Sequence, residues 1–266
     1  MLTSVFLKTL RDQLRALAGW AVAIAVLVAM YAAIWPSIRD QPSMNAFLDQ
    51  MPEALRSLFA MSGADMTTPT GYIKIELLSF MGPIVVLLYA IGTGVAAVAG
   101  EEDHHTLELL LSTPLSRARI VLEKAGAMAV GTVFLAATMG ASLMVEGSWT
   151  GMDLPADKVF AAMGHLALLG LVFGGLGLAL SAATGRAGLS KGLPAALAVL
   201  AYVVNGLGGV VDWLKPVQKY SPLYQYSGHD PLVNGVDWPS AWIALGTAVV
   251  LVVLAVVAFR RRDVAV

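Results

Sequence analysis

Cysteine is absent from the 266 residues, which excludes disulfides, thiolate metal sites and a cysteine nucleophile. Charge is scarce as well: Asp, Glu, Lys and Arg make up 13% of the chain, against roughly 25% in an average soluble domain. With a net charge of −1 there is no bulk positive charge to hold a phosphate backbone, so no nucleic-acid partner is expected. The Gly-x-x-x-x-Gly-Lys-Ser/Thr loop that cradles nucleotide phosphates is missing too. The nearest approach, "GRAGLSKG" from Gly185 to Gly192, puts Ser190 where the second glycine belongs and Gly192 where a hydroxyl is needed. It reads as a positively charged loop between two apolar runs. The chain is therefore expected to hold no catalytic residue, metal or cofactor of its own.

What the chain has in excess is hydrophobic side chains, 58% of the total. A bilayer core about 30 Å thick needs about 20 apolar residues per helix, and six stretches qualify: 16–35, 77–99, 125–145, 160–182, 193–211 and 241–259. Apart from His165, none contains an Asp, Glu, Lys, Arg or His. These runs predict an all-α integral membrane protein with six spans in a single domain, 1–266. The basic lead-in of Lys8, Arg11 and Arg15 precedes a run longer than a signal-peptide core, so the first run is expected to stay as a span.

An even number of spans puts both termini on one side of the membrane, and Lys and Arg choose the side. With the termini in the cytoplasm, eleven of the seventeen basic residues lie inside and six outside. Cytoplasmic termini are expected. The outer segment 36–76 carries Met44, Phe47, Leu48, Met51, Leu55, Leu58 and Phe59 at spacings of three and four, which predicts an amphipathic helix over 44–59. The second outer segment, Asp212 to Trp238, is rich in Pro, Tyr and Trp. Irregular or short-helical backbone with interfacial aromatic anchors is expected there.

Against this background "GEEDHHTLELLLSTPLSRARIVLEK", Gly100 to Lys124, stands out with eight charged residues and two histidines between two apolar runs. If 101–112 is helical, Glu101, His105, Glu108 and Ser112 form a polar stripe, and Leu107, Leu110 and Leu111 form an apolar patch on another face. Pro114 ends the helix, and Ser116 can cap the next one. Such a helix either joins two spans or transmits force across the membrane mouth.

The stretch resembles the cytoplasmic loop between spans two and three of the ABC-2 type permeases, the membrane subunits of bacterial ABC exporters. The matching pattern is an acidic pair, then Thr-Leu-Glu-x-Leu-Leu-x-Thr-Pro-x-Ser-Arg ahead of a span. The six spans, the "MPEALRSLF" to "TGYIKIELL" region and "YSPLYQYSGHDPLVNG" are similar to that family too, so the resemblance covers most of the chain. It implies a coupling helix near 101–111 that docks on a separate ABC ATPase subunit, which binds ATP and Mg. It also implies a second permease copy or paralogue enclosing the path, in the bacterial cytoplasmic membrane. By motif position the coupling residues are Glu101, Glu102, Thr106, Leu107, Glu108, Leu110, Leu111, Thr113, Pro114 and Arg117. His105 departs from the pattern, because many relatives have glycine just before the Thr-Leu-Glu, but a helical His105 would extend the polar stripe.

Polar groups at membrane depth are few. His165 is either a substrate contact or a hydrogen-bonded structural residue, and Asn205 either binds across helices or lines the path. Gly170 and Gly174, four apart in "GLVFGGLG", permit close helix approach within the bundle or between subunits. An ion-coupled secondary carrier is the alternative function. It calls for membrane-depth acids and broken inverted repeats, and neither is evident. A membrane enzyme needs clustered catalytic groups, and adjacent His104 and His105 point to different helix faces.

Overall fold

The computed structural model describes residues 4–41, 43–59, 61 and 64–263. Six helices are long and apolar enough to cross a bilayer: Val5–Arg39, Pro69–Asp103, Arg117–Trp149, Ala156–Thr184, Ala187–Leu207 and Trp238–Arg261. They are spans 1 to 6. No strand occurs among the described residues, and the fold is all-α. Lipid offers no partner to a free N–H or C=O, so each crossing segment must satisfy its own backbone.

Most spans overrun their apolar runs, because lipid thickness sets only a minimum length and local chemistry sets the ends. Span 3 starts at Ser116, whose Oγ accepts from the Arg119 N–H at 3.3 Å. Span 4 stops at Gly185, in the left-handed conformation at φ 64°. Span 5 departs from expectation. It covers Ala187–Leu207 rather than 193–211, so "GRAGLSKG" is not a loop. Gly185 reverses the chain and the helix resumes at Ala187, carrying Lys191 in its first turns. At the other end Gly208 and Gly209 unwind the span early.

The segment 36–76 is also less regular than its periodicity predicts. In place of one helix over 44–59 there are two, Ser43–Asp49 and Glu53–Leu58, parted at Pro52. Proline lacks the N–H and disfavours helical geometry in the residue before it, here Met51. Leu48 is buried, while Leu55 and Phe59 are exposed; the side chains of Met44 and Phe47 lie outside the described residues. The second segment holds short helices at Lys215–Gln218, Pro222–Ser227 and Pro231–Asn234.

Span 4 is the hub of the bundle. Of its most apolar window 67% is buried, against 11% for span 5. Glycine permits this. A Cβ on Gly174 would lie 2.8 Å from Met128 Sδ and 3.0 Å from the Ala90 carbonyl oxygen, and one on Gly170 would lie 2.6 Å from Thr132 Cγ2. Both glycines thus seat span 4 against spans 2 and 3 of the same subunit.

Span 2 is interrupted twice by π-helical turns, at Lys74–Met81 and Ala96–Gly100. The first precedes Pro83, which cannot donate to the carbonyl four residues back and clashes with it, so the turn widens. Ser79 Oγ then donates to the Lys74 carbonyl at 2.6 Å. The second has a tertiary cause, described below, and it lies where span 2 meets the charged stretch.

Candidate functional site

The charged stretch lies at the face of the bundle that carries both ends of the described chain. It is not one helix. Span 2 ends at Asp103, His104 and His105 form a turn, and a separate short helix runs Leu107–Leu111. His105 has φ 55°, and the amides of His105 and Thr106 bond back to the Glu102 and Glu101 carbonyls at 3.0 and 2.9 Å. The polar stripe of Glu101, His105, Glu108 and Ser112 therefore does not form, because a left-handed residue turns the chain between its members. Glycine would adopt this geometry without steric penalty. His105→Gly is expected to stabilise the turn by about 1 kcal/mol, the left-handed cost of about 1–2 less glycine's extra entropy loss. Amide exchange at 106–110 should then slow about fivefold.

The short helix is clamped from behind and free in front. Leu107 is 2% exposed and packs with Val98, Val121, Leu178 and Phe259, with Leu110 and Leu111 beside it. On the opposite side Leu109 is 71% exposed, and Glu108, Ser112, Thr113 and Pro114 are also open to solvent. The helix is thus anchored through one face and open to solvent on the other.

Three family-pattern charges act as ties to the bundle. Glu101 Oε1 meets Lys124 Nζ at 2.5 Å, and Glu101 Oε2 accepts from Thr106 Oγ1. Glu102 Oε2 meets Arg262 at 2.8 Å. Arg117 donates to the Arg262 and Phe259 carbonyls at 2.6 and 3.3 Å and lies over the Phe259 ring, neutralising carbonyls at the end of span 6. Gly185 leaves room for the Glu102–Arg262 pair, since a Cβ there would run into both side chains.

The stretch leaves span 2 through a turn that span 4 holds open. Ser181 Oγ, fully buried, accepts from the Ala99 N–H at 2.8 Å and donates to the Val95 carbonyl at 2.9 Å. These are the two groups a regular helix would pair with each other. The inserted hydroxyl widens the last turn of span 2 and fixes the direction in which Gly100 departs. Sequence reasoning missed Ser181, Lys124, Arg262 and Leu109. Only Leu109 carried a local signal, an apolar residue off the apolar patch.

A profile for the ABC-2 family transporter protein matches residues 3–264. The chain belongs to the ABC-2 transporter family. It is a multi-pass membrane transport subunit of a family that works with an ABC ATPase, rather than an enzyme by itself. No curated protein matches it.

Within this ABC-2 subunit His165 is 3% exposed and both its ring nitrogens are engaged. Nε2 accepts from the Asp237 N–H at 3.2 Å, so Nδ1 carries the proton and donates to the Gln225 carbonyl at 3.1 Å. The ring ties span 4 to the segment before span 6 and leaves no nitrogen for cargo. Asn205 lies far from the charged stretch, in the wall of a cavity at the opposite face. Gly170 and Gly174 are occupied in internal packing. The expected site residues thus fall into a cluster at one face, a strut, a cavity wall and a packing seam.

Proposed function

We propose that this chain is the permease subunit of an ATP-driven exporter and that the helix Leu107–Leu111 is the element through which a separate ATPase drives it. The observation that carries the reading is the two-sided character of that helix. Leu107 at 2% exposure and Leu109 at 71% lie on opposite sides, with ion pairs to Lys124 and Arg262 just upstream. A push on the exposed side is passed to spans 2, 3, 4 and 6 together, because the buried side belongs to an apolar cluster with members on all of them. ATP and Mg are bound by the partner, whose closure supplies the push. The eleven-to-six excess of Lys and Arg supports termini on the cytoplasmic side of a bacterial plasma membrane, the side where that ATPase works. Outward transport follows from likeness to the exporters. A second permease copy or paralogue encloses the path, supported by the 11% burial of span 5, which leaves its apolar surface for a neighbour or lipid.

The test is co-purification of the full-length chain from its host in mild detergent, with Glu108→Arg and Leu109→Asp beside the wild type. Both residues are solvent-exposed, so insertion and yield should not change. An ATPase at stoichiometric amount with the wild type, reduced at least about tenfold with either variant, is expected. Equal retention by all three would remove the coupling role.

A further inference from the structure

At the face opposite the charged stretch, a half-open cavity of about 240 Å³ lies between the outer ends of spans 2 and 5 and the segment before span 6. It has room for a group several times the ~30 Å³ of a water molecule. Its walls are mixed, with polar side chains contributed by spans 2 and 5 and by the segment before span 6. Tyr202 and Asn205 line it, three residues apart on one face of span 5, and each has a buried side-chain oxygen with no partner among the described residues: Tyr202 Oη and Asn205 Oδ1. The Asn205 amide orientation is fixed by its neighbour. Ser227 Oγ spends its only proton on the Leu223 carbonyl at 3.0 Å, so it can only accept from Asn205 Nδ2 at 3.2 Å, which leaves Oδ1 without a donor.

The same cavity wall carries the ion pair of Lys74 and Asp230. The backbone is irregular beside both. Lys74 opens the first π-helical turn of span 2, and Asp230 is left-handed at φ 54°, one of only two non-glycine residues at positive φ among those described. Irregular turns and strained residues that persist in a folded protein gather where ligands bind.

We propose that this cavity binds a small zwitterion made of a primary ammonium and an anionic oxygen group, the chemistry of a phosphoethanolamine headgroup. A primary ammonium has three N–H donors. Asn205 Oδ1 and Tyr202 Oη, both covered in this structure, turn toward the ligand as it enters and with the Asp230 carboxylate make three acceptors to receive them. When the ligand's ammonium takes Lys74's place at Asp230, the freed Lys74 ammonium pairs with the ligand's phosphate, so no charge is left uncompensated. A quaternary ammonium has no N–H and leaves both orphan oxygens unpaired. A phosphate without an amine leaves Asp230 unpaired. The site is independent of the coupling role proposed for the opposite face.

The headgroup can come from phosphatidylethanolamine or from a free zwitterion, and one experiment separates them. The delipidated full-length chain in detergent is titrated with phosphatidylethanolamine, phosphatidylcholine, phosphatidylglycerol and free phosphoethanolamine, with binding read by native mass spectrometry. Phosphatidylethanolamine should bind at least about tenfold more tightly than the other two lipids. Tyr202→Phe should weaken it several-fold while the melting temperature holds or rises, because the lost hydroxyl had no partner. Asp230→Asn, which tolerates the left-handed backbone, should abolish the preference over phosphatidylcholine. Displacement of the lipid by free phosphoethanolamine shows that the headgroup alone suffices; failure to displace it makes the lipid the ligand. Equal binding of the three lipids, no binding at all, or wild-type binding by both variants overturns the proposal.

Discussion

Lys124→Met should destabilise the folded subunit by about 3 kcal/mol, read as a drop in melting temperature in detergent. Lys124 is 5% exposed, and its ammonium is the partner of Glu101. Deleting one member of a buried pair leaves the other as an uncompensated charge, which typically costs about 3–5 kcal/mol. The lower end applies because the Glu101 side chain keeps 30% of its exposure. The control is the double variant Glu101→Gln/Lys124→Met, which removes both charges. It should recover most of the loss, since neutral replacement of a buried pair is often close to neutral overall. A double variant as unstable as the single one would mean that the pair with Glu101 is incidental to stability.

Gly174→Leu should have the largest effect in the membrane interior. The two helices touch through backbone at this point: a Cβ on Gly94 would run into the Gly174 carbonyl, and one on Gly174 would meet the Ala90 carbonyl at 3.0 Å. Backbone cannot rotate aside as a side chain can, so spans 2 and 4 must separate along their length. The cost should be at least about 3 kcal/mol, the upper end for overpacking, and the visible result is loss of monodisperse protein at normal expression temperature. Gly246→Leu in span 6 is the matched control, because nothing lies within 4 Å of a Cβ there. Equal behaviour of the two variants would refute close approach of spans 2 and 4. The same pair of spans meets again where the charged stretch begins. Span 4 is wedged against span 2 at Gly174 and holds its last turn open through Ser181, two turns further along the same helix face.

These features divide according to how local their cause is. The number of crossing helices is a one-dimensional quantity. Each apolar run of about 20 residues has a single low-energy fate, a helix in lipid, whatever its neighbours do. The end of the charged stretch was equally legible, because Pro114 and the Ser116 cap act within a turn of themselves. The division of its leucines was legible for the same reason, since Leu107, Leu110 and Leu111 share a helix face wherever the helix lies.

Tertiary structure decided what periodicity could not reach. The break at His105 is invisible to a stripe argument, which assumes uniform helical backbone through a residue whose φ is set by the packing on either side. The start of span 5 moved because the left-handed Gly185 turned the chain within two residues, a step that hydropathy averages away. The partners of the charges lie 23 residues away for Glu101 and 160 for Glu102, and the Ser181 hydroxyl lies 82 from the amide it captures. No pattern within a helical turn encodes such pairings. They arise only once apolar packing has set the spans side by side, when a buried charge or a split backbone turn must find a partner among the groups brought within reach. The sequence alone determined that this chain crosses a membrane six times and presents one charged stretch between spans 2 and 3, because lipid thickness and capping act locally. Which face of that stretch is anchored and which is offered was decided by the tertiary structure, because burial is a property of neighbours.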